Sequence, residues 1–348
     1  MSGNTKGFPT AVVQWQAQYG RNDLPWQQTG DPYHVWLSEV MLQQTQVTTV
    51  KAYFQRFIAQ CPNVAALACA SQDEVMGLWS GLGYYNRARN LHRCAQDIMA
   101  RFGGVFPRTV EELISLPGIG RSTAAAIASL CFAARAAILD ANVKRVVTRV
   151  AAFDGDLALA VYERELWLLA EALLPNKSAD MRRYTQGVMD LGAMVCLPKN
   201  PQCGVCPVQA LCKAFSAGEP QRYPVRTRKL KRSSESCWLL LVRTAAGDVW
   251  LTRRPAPGVW AGLYCLPVFS SAQTLEQVIP LARRHALVWD TPFLHVLTHK
   301  DLHLHVVRLE GADAGIDGTD GQWVAALDWP RLGLPAPVRT VLKSLDGA

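Results

Sequence analysis

The feature that most constrains this chain is a run of four cysteines, Cys196, Cys203, Cys206 and Cys212, within 17 residues. Their spacing is C-x6-C-x2-C-x5-C, and thiolates that lie so close together indicate a metal site. The spacing alone is compatible with zinc and with a [4Fe–4S] cluster; four unrelated buried cysteines are the weaker alternative. The other six of the ten cysteines are scattered, as small buried apolar residues would be.

Length and composition limit the class of protein. With 348 residues, the chain has material for two or three domains, and 49% hydrophobic against 18% charged residues excludes a disordered chain. We expect no membrane span, because no apolar stretch approaches the ~20 residues that one needs. The first ten residues contain no apolar run, so we expect no secretory signal and a cytoplasmic protein, in which disulfides are rare. The net charge of +8 favours a polyanionic partner.

Apolar periodicity and turn residues predict a mainly helical region over residues 8–215. The helical stretches are predicted at 31–57, 64–80, 86–101, 110–115, 122–134, 143–153, 161–174 and 183–195. A basic segment follows, and its residues 221–232 hold six basic side chains and no acidic one. We interpret 221–234 as a linker, either solvated or touching phosphates. From Cys237 onward, short β-like runs around one helical stretch at 275–286 predict a small α+β domain.

A glycine turn joins two predicted helices in the segment 116–124, LPGIGRSTA. Gly118 and Gly120 permit positive φ and close backbone approach. The amides that begin the next helix, beside Arg121 and Ser122, would form an anion site suited to a phosphate. A plain connection between two helices is the alternative.

Two carboxylates are candidates for chemistry. Glu39 is the only charged residue between Asp31 and Lys51, and helical spacing would place it in a polar stripe with Gln43, whose amide could bind a base. Asp140 follows an apolar run and precedes a helix, which predicts an N-cap; the same position suits a carboxylate that stabilises a positive charge.

Six sequence motifs together resemble those of a known protein family. They occur at 36–47 (WLSEVMLQQTQV), 81–91 (GLGYYNRARNL), 116–124 (LPGIGRSTA), 138–146 (ILDANVKRV), 189–196 (MDLGAMVC) and the cysteine run. In this order they resemble the adenine DNA glycosylases of the MutY family, within the helix–hairpin–helix superfamily. The resemblance covers residues 8–215 densely. It implies one [4Fe–4S] cluster on the four cysteines and decides against zinc.

The resemblance also implies a chemistry, the hydrolysis of the glycosidic bond of adenine paired with 8-oxoguanine or guanine. The adenine would be flipped into a pocket of the helical region. Glu39 would be the general acid that protonates N7, and Asp140 would stabilise or trap the oxocarbenium ion, as in retaining glycosidases. Asn142 would assist. Bifunctional relatives carry a lysine nucleophile where this chain has Ser122, so we expect a monofunctional enzyme.

The expected partner is duplex DNA, bound by a monomer that associates with the bacterial nucleoid. The predicted DNA contacts are Gln43, Gln44, Tyr84, Gly118, Gly120, Arg121, Ser122, Lys144, Lys199, His299 and Lys300. Lys199 belongs to the cysteine loop, where an ordinary solvated lysine is an equal alternative. Gln44 and Tyr84 match positions that enter the duplex around the lesion.

The C-terminal region resembles the Nudix-like lesion-reading domain of the same family. From Ser236 to the end it contains only Glu276 and Glu310 as glutamates, too few for the metal cluster of a Nudix hydrolase. Its loop at 298–301, THKD, departs from the aromatic–Ser–His run of the family. Four histidines nearby raise a metal hypothesis, which we consider weaker than solvent-facing or DNA-facing side chains.

The predicted domains are therefore a helical catalytic region at 1–220, the linker at 221–234 and the Nudix-like domain at 235–348. Within the first, a six-helix module spans about 25–137, and a cluster module combines the N-terminal helix with about 138–215. Two other functions remain open: a thymine-mismatch or bifunctional pyrimidine glycosylase, and a non-catalytic DNA-binding iron–sulfur protein. Ser122 argues against a lyase, and the presence of both Glu39 and Asp140 argues against a non-catalytic protein.

Overall fold

A computed structural model describes residues 7–227, 231–311 and 320–345. These residues form two compact units. One contains residues 7–68 and 93–227, and the other contains residues 69–92 together with the described residues from 231 onward. Residues 69–92, which we predicted within the helical region, thus pack with the C-terminal residues. Residues 228–230 of the predicted linker lie outside the described residues.

Twelve α-helices occur in the described residues before the linker. They are α1 (Phe8–Tyr19), α2 (Pro32–Leu42), α3 (Val47–Gln60), α4 (Val64–Cys69), α5 (Gln72–Leu78), α6 (Asn86–Phe102), α7 (Val110–Ile114), α8 (Arg121–Phe132), α9 (Ala141–Ala151), α10 (Ala160–Ala172), α11 (Met181–Asp190) and α12 (Lys213–Ser216). No helix in the described part of the chain has the length and apolar character to cross a bilayer.

The helix predicted over residues 31–57 is two helices, and this corrects the polar stripe inferred from it. Helix α2 ends at Leu42, and α3 begins at Val47. Between them Gln44 adopts a left-handed backbone conformation with φ of 59°, which a continuing α-helix cannot contain. Residues after Gln44 therefore leave the helical face of Glu39, and the polar stripe is confined to Glu39 and Gln43, which is the C-cap of α2 with φ of −57°. The stretch 64–80 is also divided, because a capping box between Ser71 and Glu74 starts a new helix, α5.

The first unit is built around the amphipathic helix α9. Its residues Val143, Val146, Val147 and Val150 are buried at i, i+3, i+4 and i+7 and form one apolar face. They join a core that includes residues of α1, α8, α10 and α11. Helix α1 packs against α11, and α8 packs against both α2 and α11. The start of α9 and the end of α11 are thus held by one core, and α2 is positioned through its packing against α8.

The second unit contains a mixed sheet. Its strands are β1 (Ser233–Arg243), β2 (Val249–Arg253), β3 (Tyr264–Cys265), β4 (Val268–Phe269), β5 (Val288–Trp289), β6 (Phe293–Val296), β7 (Lys300–Glu310) and β8 (Gly321–Val324). The order is β3-β2-β1-β7-β5, with β4 on β1, β6 on β7 and β8 on β2. Strands β1 and β7 run parallel along their whole length, with Leu239 opposite Val306.

Alternate residues of these strands enter two cores on opposite faces of the sheet. Leu239 and Val306 face a core completed by helix α14 (Ala336–Leu345), whereas Leu240 and Val307 face a core completed by α13 (Ala272–Gln277). The helix predicted over 275–286 is shorter than expected, because α13 ends at Gln277 and a 3-10 turn covers 281–286.

Close backbone packing explains why residues 69–92 belong to the second unit. A Cβ on Gly77 would lie 1.9 Å from the carbonyl oxygen of Arg331, so only glycine fits at this position of α5. The hydroxyls of Ser80 and Tyr85 both donate to the carbonyl of Leu334, at 2.9 and 2.7 Å. These contacts are between residues distant in sequence, and sequence periodicity carries no information about them.

Candidate active site

Glu39 lies near the end of α2 and lines a small cavity of the first unit. Helix α2 starts at an N-cap, Asp31, whose side chain accepts the amide of Tyr33 at 2.8 Å. The other walls of the cavity come from Trp26, Gln27, Val35, Ser38, Leu130, Arg182 and Gln186. The free space is about 20 Å³, which is enough for a water molecule. Glu39 is therefore a pocket residue and not a member of a solvated helix face.

The environment of Glu39 favours its protonated form. Burial, together with the charge of Asp140, raises the pKa of Glu39 to about 7, although the charge of Arg21 opposes the shift. A carboxyl group with this pKa is partly protonated at neutral pH, which is the state that a general acid requires. The geometry therefore supports the role predicted for this residue.

Asp140 is the N-cap of α9, so the capping prediction is confirmed. Its Oδ1 accepts the amide of Val143 at 2.7 Å. Burial raises the pKa of Asp140, whereas the amides of Val143 and Asn142 and the charges of Arg145 and Lys144 counteract that effect. The charge of Asp140 acts on Glu39, and backbone hydrogen bonds stabilise the charged form of Asp140 but not that of Glu39. Such unequal environments are typical of an acid paired with an ionised carboxylate.

A buried carboxylate that the sequence analysis missed holds Arg21 beside this pair. Asp190, fully buried at the end of α11, accepts the Arg21 amide at 2.9 Å and its Nε at 2.7 Å. Gln186 donates to the same carboxylate at 2.8 Å. Asp190 stands in the string MDLGAMVC, which was noted only for the resemblance. An acidic residue between apolar neighbours in a helix was the available signal.

Arg145 connects Asn142 with the chain leading to the first cysteine. Its Nη2 donates to Asn142 Oδ1 at 2.9 Å and to the Gly192 carbonyl at 2.6 Å, and its Nε donates to the Cys196 carbonyl at 2.6 Å. Residues 191–195 form a π-helical turn. A Cβ on Gly192 would lie 2.7 Å from the Cβ of Asn142, so glycine permits this close approach. Asn142 is thereby fixed beside Asp140.

The four cysteines line one cavity between α9, the π-helical turn after α11 and the loop that follows. Burial, together with the other three sulfurs, raises the pKa of Cys206 to about 11, although a hydrogen bond from the backbone amide of Val208 opposes the shift. Four thiolates can be held together here only by a positive centre, so the donor set fits an iron–sulfur cluster. Among the residues that the structure describes, no three cysteine, histidine or carboxylate side chains converge on a position for a single metal ion.

Arg149 supports the cysteine loop from α9. It is 2% exposed, and its Nη1 donates to the Cys196 sulfur at 3.3 Å and to the Leu197 carbonyl at 2.7 Å. Its Nη2 donates to the Pro198 carbonyl at 3.1 Å, and its Nε donates to the Tyr223 carbonyl at 3.2 Å. Tyr223 is buried, so the start of the predicted linker is packed against the helical unit and is not a solvated connector.

The glycine turn has one left-handed residue and not two. Gly118 has φ of 75°, whereas Gly120 has an extended backbone. Gly120 occupies the N-cap position of α8 and has no side chain that could accept an amide there. Arg121 is exposed; it pairs with Glu171 at 2.6 Å and stacks over Trp167. The Ser122 hydroxyl accepts the amide of Leu139 at 3.0 Å and so fixes the strand-like segment before Asp140. These backbone amides and Arg121 remain predicted phosphate contacts.

The other predicted DNA contacts lie on exposed turns or in surface ion pairs. Tyr84 is 44% exposed with φ of 48°, and its hydroxyl contacts that of Thr298 within the second unit. Lys144 pairs with Glu163, and Lys300 pairs with Glu235. Gln44, Lys199 and His299 are exposed, and Gln43 is partly buried. Their roles in DNA binding stay predictions.

Comparison with known proteins identifies the family. Residues 37–171 match the HhH-GPD superfamily of base excision DNA repair proteins, and residues 196–212 match the iron-sulfur binding domain of endonuclease III. Residues 237–344 match the NUDIX domain. The adenine DNA glycosylase of Buchnera aphidicola (subspecies Acyrthosiphon pisum) is 34% identical over 344 residues, which are 97% of each chain. The chain belongs to the adenine DNA glycosylase family.

Other adenine DNA glycosylases and solved structures agree with this placement. The mouse adenine DNA glycosylase is 44% identical over 69% of this chain and 49% of its own. The structure of a thermostable thymine-DNA glycosylase is 29% identical in sequence and superposes with a TM-score of 0.54. The match covers 61% of this chain and 97% of that glycosylase. Endonuclease III in a non-covalent DNA complex, at 21% identity and 60% and 94% coverage, shares the fold with a TM-score of 0.51.

Several expectations are thereby confirmed. The chain is a DNA glycosylase that binds DNA, and it combines a helix–hairpin–helix helical region with a Nudix-like C-terminal domain. Its cofactor is one [4Fe–4S] cluster, and the cysteines at 196, 203, 206 and 212 are the residues that would hold it. The zinc alternative is excluded by the same match. A cluster bound by these cysteines would staple the loop after α11, and no step of the reaction is assigned to it.

Proposed function

We propose that this adenine DNA glycosylase excises adenine paired with 8-oxoguanine or guanine, as a monofunctional enzyme and a monomer acting on duplex DNA of the bacterial nucleoid. The observation that carries the proposal is the pairing of Glu39 with Asp140. One carboxyl has a pKa near neutrality, and the other is held by backbone amides beside it. This is the arrangement that a two-carboxylate glycosidase requires.

In the proposed reaction, Glu39 donates its proton to N7 of the flipped adenine. The bond between N9 and C1′ then breaks, and its electron pair leaves with the base. The sugar becomes an oxocarbenium ion, and Asp140 stabilises it electrostatically or bonds to C1′. Water adds to C1′, displacing Asp140 as the carboxylate if it has bonded there, and the proton that the water loses passes to Glu39, which is restored as the carboxylic acid. The Asn142–Arg145 hydrogen bond keeps the amide of Asn142 next to Asp140 during these steps.

Two features support a glycosylase without lyase activity. The Ser122 position carries a hydroxyl, which cannot form a Schiff base, and that hydroxyl accepts a backbone amide. Lys144, the amine nearest to Asp140 in sequence, is held by Glu163. We therefore assign the nucleophilic role to water or Asp140 and not to an amine.

Recognition of 8-oxoguanine is proposed for the second unit. The Tyr84 tip and the 298–301 loop meet there through the hydroxyls of Tyr84 and Thr298. Both segments were singled out for lesion contact on the resemblance, and their contact makes one surface of them. Residues 237–344 match the NUDIX domain but contain only two glutamates, which supports recognition of 8-oxoguanine by this unit and not hydrolysis.

A single-turnover assay tests the proposal. Duplexes with adenine opposite 8-oxoguanine, adenine opposite guanine and thymine opposite guanine would be compared for release of free base and for strand scission. We expect adenine release from the first two, with no β-elimination product. Thymine release instead would favour the mismatch function named by the thymine-DNA glycosylase likeness.

Glu39→Gln tests the role of the acid, and Glu111→Gln is the matched control. Loss of the acid should lower adenine excision at least 10³-fold, within the range of general acid catalysis, and leave duplex affinity unchanged. Glu111 is an exposed residue of α7, and its change should have no effect. Unaltered excision by Glu39→Gln would remove Glu39 from the acid role.

A further inference from the structure

A second cavity adjoins the Glu39 pocket. It has a volume of about 270 Å³, against about 20 Å³ for the pocket itself. The two share four lining residues, Gln27, Leu130, Arg182 and Gln186. The remaining walls of the second cavity are Gln16, Asn22 and Arg183. We call this second cavity the rear chamber. It approaches the size of small-molecule sites, about 300 Å³ and above.

The rear chamber has a buried end and an exposed end. Gln16, on α1, is 3% exposed, and Gln186 is 8% exposed. Asn22, Arg182 and Arg183 are exposed. The chamber therefore extends from the walls of the Glu39 pocket to solvent, and its open end carries two guanidinium groups.

Two buried amide atoms of the chamber lack hydrogen-bond partners. Within the described residues nothing donates to Oε1 of Gln16 and nothing accepts from Nε2 of Gln27. The orientation of Gln16 is set by its other amide atom, because its Nε2 donates to Asn22 Oδ1 at 2.8 Å. An unpaired buried polar atom costs about 1–3 kcal/mol, so both atoms favour a polar ligand. One offers an acceptor and the other a donor.

This combination matches the hydrogen-bonding edge of an aminopurine, which presents an amino donor next to a ring-nitrogen acceptor. A flat neutral heterocycle would also stack on the guanidinium planes of Arg182 or Arg183. An anion fits less well, because the unpaired Gln16 Oε1 would repel it.

We propose that the rear chamber receives the excised adenine and releases it to solvent. The inference rests on the proposed function, since it presupposes that the free base is the product. Gln27 lines both cavities, so its unpaired Nε2 can bind the base as it leaves Glu39. Gln16 Oε1 then accepts the amino group. The base thus departs without passing the sugar from which it was cut.

Equilibrium dialysis with radiolabelled adenine tests the chamber on the full-length holoenzyme. Gln16→Leu and Arg183→Gln alter residues that line only the chamber, and each should weaken adenine binding roughly tenfold, the value of one hydrogen bond. Arg164→Gln, an exposed change on α10, is the control and should bind adenine normally. Single-turnover excision should stay at the wild-type rate in all three variants.

A comparison of adenine with hypoxanthine distinguishes loss of a specific contact from a general structural defect, because such a defect would weaken the binding of both bases equally. Hypoxanthine carries a carbonyl where adenine carries the amino group, so Gln16 Oε1 would face an acceptor. The wild type should bind adenine more tightly than hypoxanthine, and Gln16→Leu should lose that preference. Arg183→Gln should keep it, and because Arg183 is exposed this variant should fold even if Gln16→Leu does not.

Crystals soaked in 8-bromoadenine would locate the base by the anomalous signal of bromine. A peak between Gln16 and Arg183 supports the chamber. A peak only beside Glu39, adenine affinity unchanged in both chamber variants, or excision without measurable adenine binding would overturn it. Absence of adenine excision by the wild type would instead refute the proposed function, independently of the dialysis result.

Discussion

In the Glu39 pocket, burial and the charge of Asp140 disfavour ionisation of the acid. In the cysteine cavity, the guanidinium of Arg149 donates to the Cys196 sulfur and to the carbonyls of Leu197, Pro198 and Tyr223. Both regions belong to the same helical unit, and α9 reaches both of them: Asp140 is its N-cap, and Arg149 lies in its last turn. One region leaves a charge poorly stabilised, and the other surrounds its polar groups with donors. The difference indicates that the first is built for proton transfer and the second for structural rigidity.

The largest expected effect is the loss of excision rate when Asp140, the N-cap of α9, is replaced. Two substitutions separate its catalytic role from its capping role. Asp140→Asn should lower adenine excision about 10³-fold, because the amide cannot neutralise an oxocarbenium ion. Its melting temperature should stay near that of the wild type, since asparagine also caps helices well. Asp140→Ala should show the same loss of rate together with about 1 kcal/mol lower stability. Single-turnover rates and thermal melts provide the measurements.

The contrast would break if the two substitutions differed in their excision rates. A rate for Asp140→Asn close to the wild type would leave Asp140 as a cap only. Thr109→Ala, which removes the N-cap of α7 away from the site, controls for capping alone and should lower stability without altering excision.

The second prediction concerns the cysteine loop. Arg149→Met removes the donors to the Leu197, Pro198 and Tyr223 carbonyls, and should lower the free energy of unfolding by about 3 kcal/mol. Iron should be lost to a chelator faster, as followed by the visible absorbance of the cluster. Excision per intact cluster should stay within a few-fold of the wild type, because Arg149 does not line the Glu39 pocket.

Arg164→Met, on the exposed side of α10, is the matched control for that change. If Arg149→Met abolished excision while its iron content and melting temperature were retained, the cysteine cavity would have a catalytic role, and the comparison between the two regions would fail.

The smallest expected effect is the pH dependence of the Glu39 pocket. Since the pKa of Glu39 is raised from its ordinary value of 4.5 to about 7, the folded state keeps a proton that the unfolded state has released between those pH values. Stability therefore falls as pH rises through this window, and the penalty is complete above pH 7. Glu39→Gln should be about 1–2 kcal/mol more stable than the wild type at pH 8 and equal to it near pH 4.

The same titration should appear in the rate. Adenine excision by the wild type should decline about tenfold per pH unit above the pKa, as the acid loses its proton. Chemical denaturation at several pH values and single-turnover rates on one buffer series would measure both. A stability difference that does not change with pH would show that Glu39 is not the group that titrates there.

Local pattern predicted part of this fold closely. The helix predicted at 86–101 is α6, and the helices predicted at 143–153 and 161–174 are α9 and α10 to within a few residues at each end. Apolar spacing did not reveal the break between α2 and α3, because the left-handed turn at Gln44 leaves the apolar pattern of both helices intact. Nor did it show that residues 69–92 pack with the sheet unit, which depends on contacts such as Gly77 against the Arg331 carbonyl.

The sequence by itself determined the four cysteine ligands, the glycine turn and the cap at Asp140, since each depends on residues a few positions apart. Only the tertiary structure decided that Glu39 is a pocket residue, that Asp140 lies close enough to raise its pKa from about a hundred residues away, and that Asp190 anchors Arg21 beside them. Ligand spacing and helix caps are local properties of a chain. Burial and electrostatic interaction act through space and exist only once the core has brought α2, α9 and α11 together.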